Sequence, residues 1–439
     1  MLEPLYTGDE MRTAEAGHDV EAMMERAGRG VAEAILRRFP EARRIACVCG
    51  RGANGGDGRI AARVLREAGR DAVEELDRGA DVVVDALFGT GFHGEPRPDA
   101  ASLIERMNGV GAPVVAVDVP SGVNASTGEI AGEAVRAAVT VTMHARKVGL
   151  VVAPGRFHAG EVDVVDIGLE RAETEHRLVT DEVLARVPRR REGDNKYSAG
   201  AVLVVGGAPG LTGAVCLAAE AAFRADAGYV AVAVPARSLP VVEQRLLEAV
   251  KRPLDEVDEL LPRMDALAVG PGLGRGEEQR ALVRRLLSES SLPAVVDADG
   301  LHGLEPFERD APTVLTPHEG ELARLLGEES RWVAAHRLEA LWRGVERFGC
   351  VVLLKGADTL VGAPGAGVLV RSANAPGLAT AGTGDVLTGI VAAFLAKGLD
   401  ARLAAAAAAV AQARAARLAP QQAGLVASDV VALLPRALA

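Results

Sequence analysis

The chain has 439 residues, long for one ordinary core, so two domains are expected. It is 49% hydrophobic and 25% charged, the balance of a soluble globular protein, and its net charge of -11 argues against a general nucleic-acid binder. Met1 to Glu10 has no basic start and no long apolar run, and no membrane span is legible, so a cytoplasmic enzyme is expected. The cysteines, Cys47, Cys49, Cys216 and Cys350, lack zinc-site spacing and read as buried thiols. The only lysines are Lys147, Lys196, Lys251, Lys355 and Lys397; where arginine is the default, a retained lysine points to a need for a compact ammonium.

In chain order, Met11 to Phe39 reads as helical, with Met23, Met24, Ala27, Val31, Ala34 and Ile35 as its apolar stripe. The strand Arg44 to Cys49 leads into Gly50-Arg-Gly-Ala-Asn-Gly-Gly-Asp-Gly58, and a helix from Arg59 to Ala68 follows. Strand, glycine-rich turn and helix is the nucleotide-binding order of open α/β sheets, although neither the Walker A motif nor the dinucleotide spacing is present. Asn54 and Asp57 are the polar groups of that turn. Strands Asp81 to Asp85 and Pro113 to Asp118 end in aspartate and run into Gly89-Thr90-Gly91 and Ser121-Gly122. Parallel strands bring such ends to one edge, so Asn54, Asp85, Asp118 and Ser121 converge in this reading; their oxygens suit a hard cation or a sugar hydroxyl. Taken singly, each aspartate also fits a turn or a cap. Further strands are read at Ala138 to Thr142, followed by Lys147, and at Glu161 to Asp166. The polar stretch 168–195 places a domain boundary near residue 175, giving domains 1–175 and 176–439.

The second half predicts six strands: Ala201 to Val205, Tyr229 to Val234, Ala266 to Val269, Ala294 to Asp297, Thr313 to Thr316 and Val351 to Leu354. Most lead into polar or glycine loops, as in a doubly wound α/β domain. Lys355 stands at such a strand end, where a point charge holds a phosphate. His318, between Pro317 and Glu319, stands at the same edge. Ala381-Gly382-Thr383-Gly384-Asp385 precedes an apolar helix. Its amides suit an anion, while Asp385 there suits a base or an acceptor for a hydroxyl that meets a phosphate. The plainer alternative is a helix capped by Thr383 or Asp385.

Gly270-Pro-Gly-Leu-Gly274, Thr316-Pro-His-Glu-Gly-Glu321, Lys355-Gly-Ala-Asp-Thr359 and Gly382-Thr-Gly-Asp385 occur in this order in the ribokinase-like ADP/ATP-dependent NAD(P)H-hydrate dehydratases, which the second half resembles. The first half resembles the NAD(P)H-hydrate epimerase domain often fused ahead of it, through Met24-Glu-Arg-Ala-Gly28, Gly50 to Gly58, Asp85 to Gly91 and Asp118 to Gly122. The resemblance covers nearly the whole chain. It implies two doubly wound α/β domains, the first Rossmann-like and the second ribokinase-like, acting in repair of hydrated NADH and NADPH.

The resemblance further implies that Asn54, Asp85 and Ser121 hold K+, that Ala53, Asn54, Gly55, Gly56, Asp57, Gly89, Thr90, Gly91 and Asp118 contact the hydrated nucleotide, and that Asp118 transfers a proton during epimerisation. It implies that Ala214, Gly272, His318 and Asp385 line the dehydratase pocket, with Asp385 catalytic, and that Lys355, Gly356, Ala357, Asp358, Thr359 and Gly384 hold ADP or ATP with Mg2+. ADP is the donor expected of such fusions. A homo-oligomer is expected, with small-molecule substrates and no nucleic-acid or membrane partner. Two departures stand out: Ala53 replaces a usual asparagine, and only Arg59 to Asp81 separates the first two motifs, so a βα unit is missing and the first domain is shortened. Two competing readings are a vitamin-precursor kinase and a dehydratase whose first domain is a non-catalytic module.

Overall fold

The computed structural model describes residues 2–170, 173–372 and 375–439. The chain divides into two compact units: Pro4–Arg177 with Ala334–Arg337, and Met1–Glu3, Leu178–Val333 and Leu338–Ala439. Strands are numbered along the chain, and β1 (Leu2–Pro4) belongs to the sheet of the larger unit.

The smaller unit carries β2 (Arg44–Cys49), β3 (Asp71–Val73), β4 (Val82–Ala86), β5 (Val114–Val117), β6 (Val139–Met143) and β7 (Glu161–Val165). They pair in the order β3-β2-β4-β5-β6-β7, all parallel. β4, β5 and β6 are buried along their whole length, as strands covered on both faces must be. The expected single helix from Met11 to Phe39 is in fact two, Gly8–Glu15 and Val20–Arg38. Gly17 turns the chain between them at φ 84, and the Asp19 side chain caps the second by accepting from the amides of Glu21 and Ala22.

A second correction concerns the glycine stretch. The helix starts at Ala53, not Arg59, so Asn54 to Gly58 form its first turns and not a free loop. Glycine is required there: a Cβ on Gly55 would lie 2.0 Å from the Gly50 carbonyl oxygen. The shortened span between the motifs keeps one edge strand, β3, and then reaches β4 through residues 74–81 without a helix. β3 and β4 flank β2 on its two sides, and parallel strands of one sheet usually need a longer, helical crossover.

The larger unit carries β8 (Arg177–Val179), β9 (Ala201–Val205), β10 (Tyr229–Val234), β11 (Val250–Pro253), β12 (Ala266–Val269), β13 (Ala294–Val296), β14 (Thr313–Leu315), β15 (Val351–Leu354), β16 (Thr359–Gly362) and β17 (Leu369–Arg371). The sheet order is β1-β8-β17-β16-β15-β14-β13-β12-β9-β10-β11. β11 to β15 run parallel through β10, β9 and β12, while β15, β16 and β17 pair antiparallel. The six expected strands are the buried parallel ones. The edge strands escaped because they are short and mixed in character, as Val250-Lys-Arg-Pro253 illustrates.

One face of this sheet packs on the helix Thr383–Ala396, whose residues Val386 to Leu395 are all buried. A helix apolar on every side belongs in a core. The helix Ala401–Arg417 packs in the same cluster through fully buried alanines, whose small size lets helices approach closely. None of the described helices is long and apolar enough to cross a membrane.

Candidate functional site

In the smaller unit the expected residues gather at the carboxyl ends of the parallel strands. Asp85, the fourth residue of β4, is fully buried. Its Oδ1 accepts from Ser121 Oγ at 2.6 Å and its Oδ2 from the Ser121 amide at 2.8 Å. Burial pushes the Asp85 carboxyl up to about 6, against those hydrogen bonds. Ser121 Oγ also accepts from the Phe88 amide at 2.9 Å, and Asn54 Nδ2 donates to the Phe88 carbonyl at 2.8 Å. Gly89 lies against Asn54: a Cβ there would be 3.2 Å from Asn54 Oδ1. Asn54, Asp85, Ser121 and the Phe88–Gly89 backbone therefore form one oxygen-rich cluster.

Asp118 follows β5 with φ 66, a conformation that L residues adopt at a cost of about 1–3 kcal/mol and that persists when surroundings enforce it. Its carboxylate meets Lys147, a completely buried side chain whose ammonium lies 2.6 Å from Asp118 Oδ1. Lys147 also donates to Thr142 Oγ1 at 2.9 Å and to the Met143 carbonyl at 2.8 Å, so all three N–H groups are used. Thr142 Oγ1 in turn donates to Asp118 Oδ1 at 3.1 Å. Asp57 is buried in the first turns of its helix, and its Oδ1 has no hydrogen-bond partner. Burial, with the charges of Asp118 and Glu15, pushes its carboxyl up to about 8. Lys147, Thr142 and Glu15 were not among the expected site residues. Only the scarcity of lysine pointed to the first.

In the larger unit Lys355 follows β15 and Asp297 follows β13. Lys355 Nζ lies 2.7 Å from Asp297 Oδ1 and 3.8 Å from Glu321 Oε2. Asp297 Oδ2 accepts from Thr388 Oγ1 at 2.7 Å. Burial opposes the charge on Lys355, but Asp297, Glu321 and Asp385 outweigh it and hold the ammonium above its ordinary pKa. Asp385 lies in the first turn of the Thr383 helix. Burial, then Asp297, pushes its carboxyl up to about 7, with Lys355 pulling the other way.

The helix is not capped by Thr383 or Asp385. Gly382 occupies the cap position at φ 87, and among the described residues no side chain caps the first amides. The Thr383 hydroxyl instead donates back to the carbonyls of Leu378 and Thr380, both at 2.9 Å. Gly384 meets this cluster, since a Cβ there would be 3.4 Å from Lys355 Nζ. Gly356, Ala357 and Asp358 form the turn from β15 into β16, and Thr359 opens β16.

His318 caps the helix Glu319–Leu326, accepting the Gly320 amide at Nδ1, and its side chain is 54% exposed. Glu321 joins it to the cluster, because Oε2 accepts the His318 amide at 2.8 Å while facing Lys355. Ala214 lies beside Gly272, where a Cβ would be 3.2 Å from Ala214 Cβ. Gly270, at φ 122, brings the chain so close to the Asp297 carbonyl that a Cβ would lie 1.8 Å away. Asp297, Glu321 and Thr388 complete the cluster and were not expected as site residues, although Glu321 lies in an expected motif.

An eleven-stranded α/β sheet presenting a lysine–aspartate pair and an uncapped helix N-terminus defines a ribokinase-like domain, here joined to a parallel α/β domain. Residues 202–436 match the family profile described as NAD(P)H-hydrate dehydratase, and residues 20–76 and 70–149 match the YjeF-related protein N-terminus. The second match breaks at the shortened span. The bifunctional NAD(P)H-hydrate repair enzyme Nnr of Moorella thermoacetica is 38% identical, over 94% of this chain and 91% of its own. That of Salinibacter ruber is 37% identical, over 99% and 96%. The ADP/ATP-dependent NAD(P)H-hydrate dehydratase of Bacillus subtilis, crystallised with ATP and Mg2+, superposes with a TM-score of 0.55 at 28% identity, covering 59% of this chain and 96% of its own. The chain belongs to the family of bifunctional NAD(P)H-hydrate repair enzymes.

Proposed function

We propose that the larger unit dehydrates the S epimer of NADH or NADPH hydrate at the expense of ADP or ATP, and that the smaller unit interconverts the R and S epimers. The observation that carries the first activity is Asp385 on an uncapped helix N-terminus, its carboxyl pushed up to about 7 beside Lys355. A carboxylate with that pKa suits a base working near neutrality. It accepts the proton of the substrate hydroxyl as the oxygen attacks the terminal phosphate. The amides of the Gly382–Gly384 segment receive the charge that builds on the transferred group, and Lys355 holds the nucleotide with Gly356 to Thr359. Ala214, Gly272 and His318 line the hydrate side. Phosphate is a better leaving group than hydroxide, so its departure, driven by the ring nitrogen's electron pair and loss of the neighbouring proton, restores the reduced nicotinamide.

Among the described residues no group of three or more His, Cys, Asp or Glu side chains is arranged to hold a metal ion. A magnesium ion would come in with the phosphates and neutralise their charge. In the smaller unit one buried carboxylate, Asp85, stands among the oxygens of Asn54, Ser121 and the Phe88 carbonyl. This donor set fits K+, a hard ion of single charge, which would orient the hydrate beside Asp118. The direct test of the dehydratase role is Asp385→Asn in the full chain. Recovery of reduced nicotinamide from S hydrate should fall roughly 10²–10⁴-fold; an unchanged rate would remove Asp385 from the chemistry.

A further inference from the structure

We propose that Asp57 is the proton donor of the smaller unit's site, working opposite Asp118 as acceptor. This deepens the epimerase reading and rests on it. The geometry begins with Asp57 Oδ1, which is buried and meets no donor. An ionised carboxylate left this way is expensive, whereas a protonated one keeps a hydrogen to give. Among the described residues no cation offsets it. The groups acting on it are Asp118, from the end of β5, and Glu15, from the end of the helix Gly8–Glu15, both acidic. Lys147 is fully committed to Asp118, Thr142 and Met143, and Arg12 acts on Glu15. The raised Asp57 carboxyl, at about 8, agrees with the missing donors. Asp118 is the reverse case: the buried ammonium of Lys147 neutralises it through Oδ1. Two carboxyl groups in one site, one facing a cation and one facing acids, make an acid–base pair.

The hydrate suits such a pair. Its reacting carbon bears a hydroxyl and the ring nitrogen, so it is a hemiaminal. Asp118 takes the hydroxyl proton, the oxygen's electron pair forms a C=O bond, and the carbon–nitrogen bond breaks. Its electron pair moves to the nitrogen, which receives the Asp57 proton. Rotation about the neighbouring carbon–carbon bond presents the other face of the aldehyde. The nitrogen re-adds, its proton returns to Asp57, and Asp118 returns its proton to the oxygen. Nothing is consumed, and both carboxyl groups end as they began.

The test follows interconversion of separated R and S NADH hydrate by chromatography, in the full chain with nucleotide omitted and spontaneous exchange subtracted. The wild-type rate should fall as pH rises through about 8, because the donor is lost. Asp57→Asn should lower the rate roughly 100-fold or more and abolish that alkaline fall. A variant with the wild-type rate and the same fall overturns the proposal.

A readout independent of activity is the thermal midpoint. A carboxyl whose folded pKa is raised destabilises the fold progressively as pH rises from about 4 to about 8, since only the unfolded chain ionises there. Asp57→Asn should therefore raise the midpoint more at pH 8 than at pH 4, and a gain independent of pH would contradict the assignment. If the wild-type chain fails to interconvert the epimers, the epimerase reading falls and the donor role falls with it. The midpoint series still reports whether Asp57 holds its proton.

Discussion

The two units solve the same electrostatic problem in different ways. Each sets a lysine against an aspartate at the carboxyl ends of parallel strands, Lys147 on Asp118 and Lys355 on Asp297. Lys147 is fully buried and spends every donor internally, so it has nothing to offer a ligand. Lys355 is 20% exposed, shares its charge among Asp297, Glu321 and Asp385, and stands beside Gly384 at an uncapped helix end. The first arrangement neutralises a buried carboxylate that stands on a strained backbone. The second keeps a cation within reach of an incoming phosphate. In the proposed functions this separates a proton-shuttling site from a phosphoryl-transfer site.

The comparison breaks most visibly at Lys147. Lys147→Met leaves Asp118 buried without its cation, which costs about 3–5 kcal/mol in a buried pair. Denaturant unfolding of the smaller unit should record that loss together with loss of epimer interconversion. If stability is kept, the pair does not stabilise the buried Asp118 carboxylate. Lys355→Met should cost less stability, because Lys355 is partly exposed and Thr388 still donates to Asp297. Its signature is in pH instead. Lys355 lowers the Asp385 carboxyl, so removing it raises that group above about 7. Dehydration needs the ionised form, so the rise of residual activity with pH should shift to higher pH in a pH–rate profile. The smallest effect is expected for Thr388→Val, which removes the hydroxyl from Asp297 Oδ2 at similar volume and should cost about 1–3 kcal/mol in thermal or denaturant unfolding.

Much of both sites was legible because the loops after parallel strands carry their own signature. Gly50 to Gly58, Asp85, Asp118 to Ser121 and Lys355 stand where strand-end reasoning puts them, and Gly382 to Asp385 stand at the start of the expected apolar helix. The partners were hidden because strand order and helix packing, not sequence distance, bring them together. Asp297 and Lys355 are 58 positions apart, and Asp297 and Thr388 are 91 apart. The retained lysines did carry a signal: Lys147, Lys355 and Lys397 each pair with an aspartate, the last with Asp226. The edge strand β3 was missed because Asp71–Val73 is three residues long with one polar member, too short for a periodic pattern. The early helix start at Ala53 was missed because glycines argue against helix, and the close approach to Gly50 overrides that preference.

The most direct measurement is recovery of reduced-nicotinamide absorbance from a mixture of R and S NADH hydrate, with Mg2+ and either ADP or ATP, in the wild-type chain and in Asp118→Asn. Two working sites predict complete recovery in the wild type, because R hydrate is reached only through epimerisation, and a second phase slowed to the spontaneous rate in the variant. Recovery of the S share alone by the wild type, with a tail no faster than the variant's, would contradict the claim that both units are catalytic.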